Sequence, residues 1–156
     1  MSIECIQINN AASEDDLMNF AKLHTSCTAE RAGRYVFFNK EDIEKIALET
    51  IDNREKEIFL LFKKDTQPIA TLTAEIKDNG NLRLRSLFVD KKYREKGVWS
   101  EALSKAKELV QTLWYKRIYA HILKENEKAQ KLAQKNGYTK ANWENGSLEE
   151  REYIMK

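Results

Sequence analysis

The chain has 156 residues, 42% of them hydrophobic and 33% charged, and Lys+Arg 27 against Asp+Glu 25 leave a net charge of +2. That length fits one domain over 1–156, able to bury roughly 70% of its unfolded surface. Interspersed charge of nearly zero sum disfavours wholesale nucleic-acid binding while leaving room for a local basic patch.

Cys5 and Cys27 are the only cysteines and there are two histidines, with no metal-ligand spacing, so free thiols in a reducing compartment and no metal site are expected. The start Met1-Ser2-Ile3-Glu4-Cys5 lacks the basic-then-apolar run of a signal peptide, and no apolar stretch approaches ~18 residues. The expectation is a cytoplasmic protein without a membrane span.

Alternation of apolar and polar residues from Ile3 to Ile8 predicts a first short strand. Ser13 with Asp16 three residues later resembles a capping box, and Leu17, Phe20, Ala21 and His24 then share one helical face. Asn39 with Asp42 repeats that start signal for a second helix carrying Ile43, Ile46, Ala47 and Ile51. Glu57 to Lys63 and Pro68 to Lys77 read as strands, and Leu82, Leu84, Leu87 and Val89 mark a third. The turn residues Asp65-Thr66-Gln67 and Asp78-Asn79-Gly80-Asn81 join them into an antiparallel meander. The change of parity between Leu84 and Leu87 predicts a bulge near Arg85-Ser86.

From Gly97 the period becomes helical, with Val98, Ala102, Ala106, Leu109 and Leu113 in one stripe and Leu103 and Val110 beside it. Ile118 to Leu123 predicts a short buried strand, and Glu125 to Lys135 a helix closed by Gly137. The tail turns at Asn145-Gly146 and returns over Glu149 to Met155. The order strand, two helices, three strands, helix, strand, helix, two strands predicts an α/β sandwich with a mixed sheet.

The segment Tyr93-Arg94-Glu95-Lys96-Gly97-Val98-Trp99-Ser100 joins the third meander strand to a helix start. The first N–H groups of a helix have no internal partner and carry the positive end of its dipole. With Lys91, Lys92, Arg94 and Lys96 clustered there, the loop predicts a seat for a phosphate-bearing small molecule. A solvated basic loop is the alternative.

Two motifs and the element order resemble the GNAT N-acetyltransferase superfamily. Arg94-Glu95-Lys96-Gly97-Val98-Trp99, after the strand Leu87-Phe88-Val89, matches that family's Arg/Gln-x-x-Gly-x-Gly/Ala signature. Asn126, Ala129, Leu132-Ala133 and Gly137-Tyr138 match its second pattern. The resemblance implies a mixed, mostly antiparallel sheet of six to seven strands with helices on both faces and a splayed centre. It also implies acetyl-coenzyme A as cosubstrate. Leu87, Phe88 and Val89 would then flank the pantetheine arm, the backbones of Phe88 and Val89 pairing with it as with an added strand. The N–H groups of Glu95, Lys96, Gly97, Val98, Trp99 and Ser100 would hold the pyrophosphate, with Arg94 of the same signature also at the cofactor site, and Asn126 would reach the arm from the far side.

Two residues depart from the family. Trp99 replaces a small residue, and either packs under the loop or obstructs the seat; Ala133 replaces the Tyr that commonly protonates the departing thiolate. Transfer to an amine needs a proton acceptor, and Arg83 and Arg85 occupy the strand that commonly carries a Glu base. Glu75 and His121 are the remaining catalytic candidates, each with an ordinary solvated or core-edge reading beside the functional one. Arg83 and Arg85 either form a solvated face or grip an anionic group of the acceptor. Arg34 and Tyr35, within Arg31 to Phe38, lie where such folds line the acceptor pocket, and core packing of Val36 and Phe38 explains the segment equally well.

The expected activity is acetyl transfer to a primary amine of a small-molecule or peptide acceptor by direct attack. A coenzyme-binding module of weak or no activity is the alternative. A nucleic-acid partner is disfavoured, and exposed strand edges in the last hairpin leave a homodimer open.

Overall fold

The computed structural model describes residues 3–9, 11–31, 40–52, 56–77, 80–113, 115–140 and 150–155. Its elements follow the expected order: β1 (Glu4–Gln7), α1 (Glu14–Arg31), α2 (Lys40–Asp52), β2 (Glu57–Lys64), β3 (Gln67–Ile76), β4 (Asn81–Val89), α3 (Val98–Thr112), β5 (Arg117–Leu123), α4 (Glu127–Lys135), β6 (Tyr138–Lys140) and β7 (Glu150–Met155). A one-turn 3-10 helix, Lys91–Tyr93, lies between β4 and α3. Arg34, Tyr35 and the expected Asn145-Gly146 turn lie outside the described residues.

Local chemistry explains the helix starts. Ser13 Oγ accepts from Asp16 N–H at 3.1 Å, the capping contact its spacing predicts. Asn126 Oδ1 accepts from Ala129 N–H at 3.2 Å and caps α4. At the other end of α4, Gly137 takes a φ of 90°, the left-handed conformation that closes a helix and that side chains resist.

The strands form one seven-stranded sheet in the order β1-β2-β3-β4-β5-β7-β6. β1 to β4 are antiparallel neighbours, β4 and β5 are parallel, and β7 runs antiparallel between β5 and β6. The mixed, mostly antiparallel sheet is therefore as the resemblance implies.

Residue parity sorts the two faces. Ile58, Leu60, Phe62, Ala70, Leu72 and Leu82 pack with Val98, Ala102, Leu103 and Ala106 of α3 in the main core. Phe59 and Leu61 pack with Phe20 of α1, and Phe88 with Leu23 and Cys27. Helices thus cover both faces. Two apolar positions differ from expectation. Leu113 follows the last turn of α3 and is 37% exposed. In β5 only Ile118 and Ile122 are buried, because α3 covers one face of that strand.

Candidate functional site

The bulge falls at Arg85. Thr73 opposes Ser86, yet Ala74 opposes Leu84, so Arg85 is the extra residue and the side chains beyond it change face. The parallel pairing of β4 with β5 covers Asn81–Leu84 against Arg117–Ala120 and stops there. Beyond it β4 continues on β3 to Val89, while β5 continues on β7 to Leu123. The sheet therefore splits at the bulge.

Which groups face the split follows from one hydrogen bond. Asp90 N–H donates to Ile69 O at 2.8 Å, towards β3. Alternation along an antiparallel ladder then turns the backbone of Phe88 to β3 and the backbones of Leu87 and Val89 into the split. This corrects the expected pairing through Phe88. Its backbone is spent on β3, and its side chain lies on the α1 face against Leu23 and Cys27.

Below the split, Gly97 begins α3 with φ 78° and no side-chain cap, and a Cβ built on it meets nothing within 4 Å. Open space thus stands before an uncapped helix N-terminus. Glu95 holds φ 63°, a left-handed conformation costly for a residue with a Cβ. Lys128 of α4 reaches Glu95 at 3.5 Å across the mouth. Trp99 is half-buried and packs against the main core. Ser100 Oγ accepts from Asn136 Nδ2 at 3.1 Å, fastening α4 to the first turn of α3.

Arg94 is spoken for. Its Nε donates to Val89 O at 2.9 Å, and Nη1 and Nη2 donate to Glu30 Oε1 and Oε2 at 2.8 and 2.9 Å. The side chain braces the loop against α1. The guanidinium in turn holds the Glu30 carboxyl below the usual carboxylate range.

The α1 face of the sheet carries a charged strip at the closed end of the split. Glu57 opposes Glu75, and Glu75 opposes Arg83. Arg85 pairs with Glu57. Lys77 Nζ donates to Glu75 at 2.9 Å and Arg83 stands 3.8 Å from it. Lys77 first, and then the arginines, hold the Glu75 carboxyl below its ordinary value. Arg83 and Arg85 are likewise engaged with acids of the same sheet. His121 lies on β5 just past the last β4-paired residue, its ring 5.4 Å from that of Tyr119.

Three further groups were not assigned to a site by the sequence reading. His24 of α1 lies 5.2 Å from Phe88, ring to ring. Thr73 Oγ1 and Ser86 Oγ lie 2.5 Å apart directly at the bulge. Asn136 is the third. The Asn-Gly pair at the end of α4 signals a helix stop, but nothing local marks the other two. A separate cavity of about 360 Å³ is lined by Asn19, Lys22, Ser26, Pro68, Asp90 and Tyr93, among others, and by no residue of β5 or α4; it is not the split.

Comparison with known proteins bears on this geometry. Residues 18–138 match the family model described as the acetyltransferase (GNAT) family. Comparison with curated proteins finds no match. Among solved structures, the PaiA N-acetyltransferase of Thermoplasma acidophilum in complex with coenzyme A is similar at 18% identity and TM-score 0.68, covering 100% of this chain and 99% of that one. The GNAT domain of S. lividans PAT is 16% identical with TM-score 0.71, over 98% and 89% of the two chains. Spermidine N-acetyltransferase of Vibrio cholerae in complex with CoA and spermine is 15% identical with TM-score 0.70, over 97% and 93%. Among the described residues, no helix is long and apolar enough to cross a membrane.

Proposed function

The chain belongs to the GNAT acetyltransferase family, and from that premise we propose that it transfers the acetyl group of acetyl-coenzyme A to a primary amine. The observation that carries the reading is the end of β4–β5 pairing at Leu84 and Ala120, one residue before the bulge. An extended, amide-bearing arm of the coenzyme satisfies the exposed strand edge, as an added strand would. The uncapped start of α3 then receives the diphosphate.

In this reading the N–H groups of Leu87 and Val89 position the thioester and offer hydrogen bonds to its oxygen as charge develops there. Asn126 keeps its capping bond and contacts the arm from the β5 side, while Lys96 and Lys128 add positive charge at the mouth. Acetyl-coenzyme A supplies the activated acyl group when bound. The acceptor enters from the α1 face, because the opposite face is closed by the apolar core beneath α3. The end of α1 forms one of its walls. Arg83 and Arg85, paired with their acids, shape its floor rather than binding an anion.

Titration calorimetry with acetyl-coenzyme A tests the first half, with saturable binding expected. Thiol release measured over a panel of primary amines tests the second, with release that depends on the amine. A second reading is favoured by Ala133, which is 3% exposed within the core at the position of the expected Tyr. It is a module that binds the coenzyme without turnover. Binding with no amine-dependent thiol release across the panel selects it, and absence of binding excludes both.

A further inference from the structure

Between the apolar clusters on the α1 face of the sheet lies a polar strip formed by Thr71, Thr73 and Ser86. Thr73 is 5% exposed, and its hydroxyl meets that of Ser86 across the bulge. Thr71, fully buried beside it, has no hydrogen-bond partner for Oγ1. On the opposite face, the neighbouring positions Leu72, Leu84, Leu87 and Val89 all join the hydrocarbon core with α3. Burying hydroxyls costs free energy unless they are bonded, so a polar strip confined to one face at the split calls for a use.

His24 packs on the same face of the sheet, against Phe88, two residues from Ser86. Its ring stacks on Phe20 at 5.5 Å and 10°, and meets Phe88 at 5.2 Å and 55°. Phe88 lies between Leu87 and Val89, whose backbones face the split. The imidazole is thus one side chain away from the stretch of β4 that holds the thioester in the proposed reaction. Glu57 of β2 and Arg85 of β4 are the charged groups that act on it.

We propose that His24 is the proton acceptor for the attacking amine, and that the Thr73–Ser86 hydroxyl pair on the same sheet face orients that amine or its bridging water; this rests on the acetyltransferase reading above. The ammonium proton passes to the imidazole, directly or through one water. The freed lone pair forms the C–N bond while the C–S bond breaks. The second amine proton is lost as the amide forms and balances the protonation of the departing thiolate, and the imidazolium returns its proton to solvent. Burial holds His24 below its ordinary value, with Glu57 opposing and Arg85 reinforcing that effect. The ring is therefore neutral, and able to accept, at neutral pH.

The test compares His24→Gln with the wild type on two probe amines: propylamine, which is protonated at neutral pH, and 2,2,2-trifluoroethylamine, which is mostly free base. The expected result is a loss of about 100-fold in kcat with propylamine, a much smaller loss with the fluorinated amine, and disappearance of the acid limb of the rate profile. Phe20→Leu disturbs the same packing without removing an imidazole, and is expected to retain that limb. Ring-labelled histidine spectra supply a readout free of turnover. Coenzyme A, under conditions where calorimetry shows saturation, is expected to shift the His24 resonance and its titration midpoint. Saturation with an unmoved His24 resonance overturns the role of His24 alone, as does an unchanged rate profile in His24→Gln. Failure of calorimetric binding overturns the acetyltransferase reading itself, and this role with it.

Discussion

Arg94 grips Glu30 through two parallel hydrogen bonds, 2.8 and 2.9 Å long, and so ties the loop before α3 to the last turn of α1. The fork geometry of guanidinium and carboxylate makes the contact directional as well as attractive. Both partners are substantially exposed, 42% and 49% at their side chains, so the pair positions the loop more than it stabilises the fold. The third bond, to Val89 O, lies at the end of the split strand.

Arg94→Ala is expected to weaken acetyl-coenzyme A binding about tenfold by calorimetry, through the loop left unbraced and the Val89 carbonyl left unpaired. Glu30→Gln is expected to act in the same direction and more weakly. The Glu30 carboxyl sits below its unfolded value, so its stabilising share is present above the ordinary carboxylate range and is lost as pH falls through the folded value. Melting curves of wild type and Glu30→Gln therefore converge in acid.

Two neighbouring loop positions are expected to respond oppositely. Glu95 holds φ 63° with a Cβ, at a cost of about 1–2 kcal/mol. Glu95→Gly relieves that strain and loses about 0.5–1 kcal/mol to unfolded-state entropy. Stability should move little, while removal of a carboxylate from the anion seat tightens coenzyme binding, most at low salt. Gly97→Ala adds the strain instead, and its methyl projects into the open space before α3. Binding should fall by about tenfold or more, against a stability loss of about 1 kcal/mol in denaturant titration.

Restoring the family's Tyr at Ala133 is expected to harm the protein. Ala133 is buried in the main core, and forcing a ring into a packed interior costs about 1–3 kcal/mol or more. Ala133→Tyr should lower the melting temperature and leave thiol release no faster than wild type.

The thiols are expected to be inert in the native state. Burial pushes Cys5 up to about 11, with Lys105 opposing it and Glu108 adding to it, and burial also raises Cys27. At pH 8 the Cys5 thiolate is about one part in a thousand, so labelling with a disulfide reagent should be slow until denaturant is added. The raised value also sets the sign of a stability effect. The contribution is whole below the unfolded value of 9.0 and is lost as pH rises towards about 11. Tyr138, also raised by burial, loses stability in the same alkaline direction. Cys5→Ala should flatten the alkaline fall in melting temperature.

Much of this protein was legible residue by residue. The parity slip between Leu84 and Leu87 located the bulge, since strand periodicity is local and an inserted residue must reverse it. Ser13 and Gly137 marked helix ends, because caps act within one turn of chain. Only the tertiary structure decided where β4 and β5 part, that Trp99 turns into the core, and that Arg94 spends its side chain on Val89 and Glu30. It also paired Glu75 with Lys77 and Arg83, and laid His24 over Phe88 from more than sixty positions away in the chain. Those facts depend on which distant segments meet, and a helix face looks the same in sequence whether it covers hydrocarbon or a row of hydroxyls.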